Sequence, residues 1–184
     1  RAGQGESRTD PCGPAFRAAN LKTKILVFDN NRNRSEFPST LLSDAKAASV
    51  AGGIATHCYG GTSAAQEELH ERFPEKEIWL TECSGGEWQT GRILEEQTRL
   101  IIESTRHWAK SVVLWNLSLD QDHGPFKGGC KTCRGVVTVT GNVSPSTTTM
   151  TVDYVALGQA IKFVRAGAYP IGSNTLKQGT LRAE

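Results

Sequence analysis

Four short apolar segments alternate with three helix-like segments along this chain, and the alternation limits the folds available to it. The apolar segments are residues 22–29, 53–59, 77–82 and 111–117. The helical patterns between them cover residues 38–48, 63–73 and 91–108. Strands that alternate with helices favour βαβ units and a parallel sheet, and strands that are apolar nearly throughout are covered on both faces. The sequence therefore predicts an α/β fold with about four βα units.

The helix at 63–73 has a recognisable start, because Ser63 and Gln66 show the Ser-x-x-Gln spacing of a capping box. In that motif the serine hydroxyl accepts a hydrogen bond from a backbone N–H in the first helical turn. After residue 120 the pattern changes to a glycine-rich loop with two cysteines, followed by an extended segment at 135–140. Residues 152–164 predict a last helix.

Composition excludes several classes of function. The 184 residues carry a net charge of only +2, and the basic residues are scattered, so a nucleic-acid partner is not expected. The longest apolar runs are too short for a transmembrane segment. The first ten residues are polar and lack the apolar core of a signal peptide. The chain begins with Arg1 rather than Met, so we expect either an intracellular protein or a start at a processing or truncation point.

The cysteines allow several interpretations. The chain has five, so at most two pairs can form. The spacing of Cys130 and Cys133 fits a local disulfide, half of a zinc site or a redox pair. No second cysteine or histidine pair follows at zinc-ligand spacing, so a metal site is disfavoured. A disulfide between these two residues is the favoured interpretation if the compartment is oxidising.

Glu82 is the first candidate for a catalytic residue. It ends the apolar run 77–82 and is followed at once by a loop of small residues. A carboxylate at the tip of a buried strand is costly unless something uses it. In barrels of alternating strands and helices, reacting groups lie where the strands end.

Polar and aromatic residues also end the other three strands. They are Asp29 and Asn30, His57 and Tyr59, and Trp115 and Asn116. His57 and Tyr59 are two residues apart, so along a strand they would point to the same side. Each of these residues has a simpler explanation: a strand histidine is commonly structural, and the aromatic residues could belong to the core. A tryptophan is nevertheless a natural platform for a sugar ring.

The order of these motifs resembles one known family. The segment WLTECSGGEW (79–88) closely resembles the sequence around the nucleophile of glycoside hydrolase family 30, which includes glucosylceramidases and related β-glycosidases. HCYGG (57–61) is similar to the end of that family's sixth barrel strand and VLWNLSLD (113–120) to its eighth strand. The stretch 128–137 resembles the loop after the eighth strand. The likeness covers residues 12–172 in the family's order.

This resemblance implies a (β/α)8 TIM-barrel glycosidase of the retaining type. Residues 22–164 would be the C-terminal half of the barrel, with strands five to eight, after a lead-in at 1–21. Residues 165–184 would begin a β-sandwich or form a tail. Glu82 would be the nucleophile. His57 and Tyr59 would orient it, and Trp115 and Asn116 would line the sugar subsite.

The resemblance also implies what the 184 residues do not supply. Asn30 begins an Asn-Asn-Arg-Asn run where the family has a different strand ending, which puts a substrate contact there in doubt. The family's acid/base glutamate follows an asparagine, and this sequence has no Asn-Glu pair. The expected partners are therefore a β-linked carbohydrate or glycoconjugate and an N-terminal half-barrel, from the same or a second chain. No cofactor is expected.

Two expectations about function remain open at this point. The first is a glycosidase fragment that is inactive alone because the acid/base is missing. The alternative is a non-catalytic carbohydrate-binding or interaction module derived from the family. The resemblance implies an extracellular location, since members with this cysteine-bearing loop are commonly secreted.

Overall fold

The computed structural model describes residues 12–141 and 147–173 of the chain. Within these ranges the helices are α1 (Cys12–Ala18), α2 (Glu36–Leu42), α3 (Ala45–Val50), α4 (Ala64–Arg72), α5 (Ile93–Arg106) and α6 (Val152–Phe163), and a 3-10 turn covers Arg32–Arg34. The strands are β1 (Ile25–Asn31), β2 (Ala51–His57), β3 (Glu77–Glu82), β4 (Gly85–Gly86), β5 (Ala109–Val112), β6 (Ser118–Leu119), β7 (Cys133–Arg134), β8 (Val137–Thr140) and β9 (Thr147–Met150).

The main sheet has four parallel strands in the order β1-β2-β3-β5. Helices α2 and α3, α4, and α5 connect successive strands of this sheet. The predicted α/β alternation is therefore confirmed. Because the strands are parallel, their carboxyl ends lie at one edge of the sheet, and that edge carries the candidate residues.

Three of the four predicted strands have different ends. β1 begins three residues later than predicted and extends to Asn31, and β2 covers Ala51–His57 rather than 53–59. The prediction of a strand at 111–117 was wrong, since β5 ends at Val112. Beyond Val112, isolated backbone hydrogen bonds keep the chain beside β3. One of them runs from the Val113 N–H to the Leu80 carbonyl at 3.0 Å. Consequently Tyr59, Trp115 and Asn116 lie in loops.

The predicted helix at 38–48 is two helices. The chain breaks at Ser43 and Asp44, and the Asp44 carboxylate accepts hydrogen bonds from the backbone N–H groups of Lys46 and Ala47, both at 2.9 Å. This is an N-cap, which satisfies donors that a helix start leaves free. A new helix start therefore replaces a continuous helix.

The capping box predicted at the start of α4 is absent from the described structure. Ser63 makes no side-chain capping bond. Its hydroxyl instead accepts from Arg32 Nη1 at 2.6 Å. Gln66 is fully buried and donates to the carbonyl of His107 at 3.2 Å. Both side chains therefore connect the helix to the rest of the fold.

Two apolar clusters hold the helices on the sheet. The larger cluster contains Leu42, Ala51, Ile54, Leu69 and Ile78. Each fully buried leucine or isoleucine side chain in this cluster contributes roughly 1.5–3 kcal/mol to stability. The smaller one contains Leu80, Cys83 and Ala109 and lies close to the carboxyl edge. The last strand residues are thus fixed by packing.

The opposite end of β3 carries Glu77, whose negative charge is balanced by two lysine side chains. Glu77 Oε1 accepts from Lys24 Nζ at 2.6 Å and from Lys110 Nζ at 2.7 Å. The hydrogen bond from Lys110, followed by that from Lys24, lowers the pKa of Glu77 to about 2. Glu77 therefore has a structural role at this end of the strand.

The segment after β5 forms a three-stranded sheet and a helix, and it adds one strand to β4. β4 pairs with β7, and β8 lies between β6 and β9. Residues 165–173 contain no strand, and 174–184 lie outside the described residues, as do 1–11 of the expected lead-in. Helix α1 occupies part of that lead-in. None of the helices in the described ranges has both the length and the apolarity needed to cross a membrane.

Candidate active site

The ends of β2 and β3 bring the main candidates together. His57 is the last residue of β2 and is paired in register with Glu82, the last residue of β3. The next residue continues the ladder, since Cys58 N–H donates to the Glu82 carbonyl at 3.2 Å. The positions of His57 and Glu82 are therefore set by sheet hydrogen bonds rather than by a free loop.

Glu82 has a donor on one side and a histidine on the other. The Tyr59 hydroxyl donates a hydrogen bond to its carboxylate. His57 Nε2 lies 3.9 Å from Glu82 Oε2, and the His57 and Tyr59 rings meet edge to face with centroids 6.1 Å apart. Burial raises the pKa of Tyr59 well above its usual value, and the hydrogen bond to Glu82 and its charge raise it further. Tyr59 therefore stays a donor throughout the neutral range.

Asp29 orients His57. Its Oδ1 lies 2.9 Å from His57 Nε2, and the Thr81 hydroxyl donates to the same oxygen at 2.7 Å. The hydrogen bond from Thr81 lowers the pKa of Asp29, against the effect of burial, and the contact with His57 lowers it further. Asp29 is thus an ionised acceptor that fixes the imidazole ring beside Glu82.

The backbone of β1 is irregular where it presents Asp29. Phe28 and Asp29 have φ angles of 86° and 52°, and the register of β1 on β2 shifts between Phe28 and Asn30. Positive φ is rare for residues other than glycine, and for a bulky residue such as phenylalanine it is an outlier. This bulge turns the Asp29 carboxylate toward His57.

Asn30, the residue selected from the sequence, makes a different contact. Its Oδ1 accepts from the backbone N–H of Asn31 at 2.7 Å. The preceding residue, Asp29, makes the contact with His57 instead. The bulge is the physical reason, because one extra residue changes which side chain faces the site.

Trp115 and Asn116 reach the same edge through the loop after β5. The Trp115 N–H donates to the Cys83 carbonyl at 2.8 Å, directly after Glu82. The indole of Trp115 is half-exposed. Asn116 Oδ1 is buried and has no hydrogen-bond partner within the described residues. The backbone bond therefore brings this loop to the residue that follows Glu82. The direct neighbours of the Glu82 carboxylate are still Tyr59 and His57.

The loop after Glu82 is fixed from the C-terminal part of the chain. β4 pairs with β7 through Gly85 and Arg134. Arg134 donates to the buried carboxylate of Asp153 in α6 and to Gln89 Oε1, the latter at 2.7 Å. Asp153 is 2% exposed, so the ion pair is buried and its loss would leave an uncompensated charge.

These observations together describe a carboxylate with a positioned donor and a histidine–aspartate pair at the carboxyl edge of a parallel sheet. No group of three or more histidine, cysteine, aspartate or glutamate side chains suited to a metal ion occurs in the described ranges. The arrangement can present the Glu82 carboxylate to a substrate. The model of the glycosyl hydrolase family 30 TIM-barrel domain matches residues 6–131.

The chain belongs to glycosyl hydrolase family 30.

Named relatives agree with the family. The endo-1,6-β-D-glucanase BGN16.3 of Trichoderma harzianum is 29% identical over 172 residues, which are 90% of this chain and 33% of the relative. The putative glucosylceramidase 4 of Caenorhabditis elegans is 27% identical over 184 residues, with 90% and 34% covered. The solved endo-β1,6-glucanase BT3312 superposes with a TM-score of 0.76 at 35% identity, over 84% of this chain and 37% of the other. The chain spans about a third of the length of the curated relatives it matches.

Two disulfides occur within the described residues of this family 30 chain. Cys130 and Cys133 are bonded, with Cα atoms 5.5 Å apart. Cys58 and Cys83 form the second, with Cα atoms 5.2 Å apart. As a disulfide partner, Cys83 has no free thiol and is excluded as a nucleophile.

Sequence reasoning missed the Cys58–Cys83 bond, although a signal existed. Each of these cysteines directly follows a candidate site residue, His57 or Glu82, at the end of consecutive predicted strands. Consecutive parallel strands are commonly neighbours, so residues in equivalent positions are candidates for pairing. Asp29 was one of the polar residues noted at the strand ends, but its contact with His57 depends on the bulge. Arg134 had no sequence signal, because a long-range ion pair does not follow from local patterns.

Proposed function

We propose that this chain carries the nucleophile of a retaining β-glycosidase, and that Glu82 is that nucleophile. The observation that supports this role is the position of Glu82 at the carboxyl end of β3, with the Tyr59 hydroxyl bonded to its carboxylate. Membership of a glycoside hydrolase family gives the reaction class. The two-carboxylate double displacement gives the mechanism.

In the first step a Glu82 oxygen attacks the anomeric carbon and forms a glycosyl-ester bond. The bond from that carbon to the leaving oxygen breaks, and a second carboxyl group gives its proton to this oxygen. In the second step the same group takes a proton from water, and the water oxygen attacks the anomeric carbon. Glu82 leaves as a carboxylate, and the sugar retains its configuration.

Tyr59 and His57 act on the position and charge of Glu82. The Tyr59 hydroxyl binds one side of the carboxylate, which leaves another lone pair for attack. His57 is 3.9 Å away and is fixed by Asp29. Both groups hold the carboxylate in one orientation, and such orientation supplies part of the catalysis.

The second carboxylate comes from a segment outside these 184 residues. The family's acid/base glutamate follows an asparagine, and the chain has no Asn-Glu pair. We assign residues 22–164 to the C-terminal half of a (β/α)8 barrel, with residues 165–184 leading into a β-sandwich or a tail. Strands one to four would come from another segment or a second chain, with the two carboxyl groups about 5–5.5 Å apart.

The substrate class we propose is a β-1,6-linked glucan. A curated relative and a solved structure are both named as β-1,6-glucanases, and another relative is named as a putative glucosylceramidase. Half-exposed Trp115, beside Cys83, provides a flat apolar surface for a sugar face. Two disulfides fit an oxidising compartment, so we infer an extracellular location.

An azide-rescue assay tests the role of Glu82. A 2,4-dinitrophenyl β-glucoside needs no general acid, because its leaving group departs as an anion. Azide then replaces water as the attacking group when the acid/base is absent. We expect dinitrophenolate release that rises with azide concentration and β-glucosyl azide as the product. Glu82→Gln should abolish both.

Glu87→Gln is the matched control. Glu87 is five residues further along, is more than half exposed and bonds to His123 at 3.0 Å. This variant should retain azide-dependent release. Equal release by the Glu82→Gln variant, or an azide product of inverted configuration, would contradict the assignment. Binding of β-1,6-glucan oligosaccharides without any turnover would favour the non-catalytic module instead.

A further inference from the structure

A cavity of about 690 Å³ lies behind the candidate nucleophile. Its walls come from the turn after β1, the loops after β2 and β3, and helix α5. Cys58 and Cys83 line it, whereas His57 and Glu82, each one residue earlier, do not. The disulfide therefore separates this cavity from the reacting carboxylate. Ligand sites in proteins typically have volumes of about 300–1,000 Å³.

Arg32 is a buried cation in the wall of this cavity. Its side chain donates to the hydroxyl groups of Ser63 and Ser104 at 2.6 and 3.4 Å. The residue is 5% exposed, and its Nε has no hydrogen-bond partner within the described ranges. Buried cations are usually paired, since removing them from water is costly. A ligand oxygen in the cavity would supply the acceptor that this guanidinium group lacks.

The other lining groups match a neutral polyol better than an anion. Arg99 adds a second cation, while Glu96 and Glu103 on the same helix add two carboxylates. The two arginines, Arg32 and Arg99, and the two glutamates therefore have formal charges that sum to zero. Closely spaced donors and acceptors of both kinds suit a ring with several hydroxyl groups, each of which donates and accepts.

Trp88 provides an aromatic surface at the edge of the cavity. The residue is 55% exposed. Its ring packs on Gly86, where even a Cβ atom would lie 2.1 Å from the indole. The Gly86 backbone restricts the ring on one side before any ligand binds, and a restricted aromatic face loses less conformational entropy on binding.

We propose that this cavity is a second carbohydrate subsite, which binds a neutral hexose unit of a glucan away from the bond that is cleaved. Arg32 supplies the buried donor, the α5 carboxylates supply acceptors, and Trp88 packs against the sugar ring. Tyr59 lines the cavity and also bonds to Glu82, so it contacts both sites. The choice of a glucan rests on the proposed function.

Titration of the 184-residue chain with β-1,6-linked glucotetraose tests the subsite. The readout is the indole N–H signals of the four tryptophans in a ¹H–¹⁵N correlation spectrum. We expect the Trp88 signal to shift and saturate. Trp88→Ala should raise the Kd followed by the remaining shifted signals about tenfold, as expected for the loss of one covered ring face. Trp108→Ala is the matched control, because Trp108 is similarly exposed but contacts His70 and Glu67 instead.

A second variant separates binding from folding. Arg99→Gln removes the charge of an exposed side chain on α5 and keeps a polar amide there, and it should also weaken binding of the tetrasaccharide. Far-UV circular dichroism and the thermal midpoint of each variant report its fold. Shifts confined to Trp115, or equal affinity in Trp88→Ala, Arg99→Gln and the unmodified chain, would overturn the proposal.

The test also distinguishes the subsite from the proposed hydrolase. Glu82→Gln should abolish azide-dependent turnover and leave the Trp88 shift intact. Turnover without a Trp88 shift would refute the subsite alone. A saturating Trp88 shift in a chain without azide-dependent turnover would refute the hydrolase and support the subsite.

Discussion

Replacement of both Cys58 and Cys83 by alanine removes the covalent link between the ends of β2 and β3. The bond joins residues 25 positions apart. In the chain-entropy account of crosslinks, a loop of this length stabilises the folded state by about 3.5 kcal/mol. The second disulfide joins residues only 3 positions apart, and the same relation gives about 1.6 kcal/mol. The paired alanine variants should therefore differ in unfolding free energy by about 1.9 kcal/mol.

Urea unfolding measures this difference. Tryptophan fluorescence and far-UV circular dichroism should give coincident transitions, which is the condition for a two-state free energy. The disulfide that closes the longer loop constrains more of the unfolded chain. Removal of this disulfide should therefore also raise the m-value more. The free energies rather than the midpoints must therefore be compared.

The Cys130→Ala/Cys133→Ala variant is the internal control, because it removes the same chemistry from a short loop. An equal loss of free energy in the two variants would refute the reasoning from loop length. A larger loss from the short loop would refute it as well. We also expect azide-dependent turnover to fall more in the Cys58→Ala/Cys83→Ala variant, since that bond lies next to Glu82.

Three further variants test separate parts of the structure. Tyr59→Phe removes the hydrogen bond to Glu82 and should lower azide-dependent turnover about 10- to 100-fold, the usual effect of a bond to a charged group, with the fold unchanged by circular dichroism. Asp153→Asn leaves Arg134 without its buried partner and should lower the urea-unfolding free energy by about 3–5 kcal/mol. Glu77→Gln should remove part of the acid dependence of stability: the depressed pKa of Glu77 contributes stability above pH 4.5 that is lost as the pH falls to about 2.

The Glu77→Gln and Tyr59→Phe variants each have a matched control. Glu75→Gln changes a nearby exposed glutamate whose lysine contact is 3.9 Å long, and its acid unfolding curve should match that of the unmodified chain. Tyr154→Phe removes the hydroxyl from a half-exposed tyrosine in α6 and should leave turnover unchanged. Identical acid unfolding of the Glu77→Gln variant and the unmodified chain would contradict the role given to its two lysines.

The sequence was most informative where the signal is local. β3 covers Glu77–Glu82, the bounds predicted from its apolar run, and α6 ends one residue before the predicted end. Apolar periodicity reflects burial residue by residue, so it locates elements and the polar residue at a strand end. The same pattern predicts Glu82 as the carboxylate at the end of β3, where the structure has it.

Interactions between distant residues were not predictable in the same way. Ser63 has the spacing of a capping box, but its hydroxyl accepts a hydrogen bond from Arg32, 31 residues earlier. The ion pair of Arg134 with Asp153 and the pairing of Cys58 with Cys83 depend on which loops meet in space. Local patterns predict what each segment can form, while tertiary packing decides which of the competing hydrogen bonds is made.

The bulge in β1 places Asp29 beside His57 at a cost in stability. Phe28 and Asp29 adopt left-handed backbone angles that glycine would accept at lower cost, yet only a carboxylate there can hold His57. Strained positions of this kind are retained when the surrounding fold compensates for them. Selection for heat resistance alone would therefore replace these two residues early, and the resulting protein would be harder to unfold and would lose the contact that holds His57 beside Glu82.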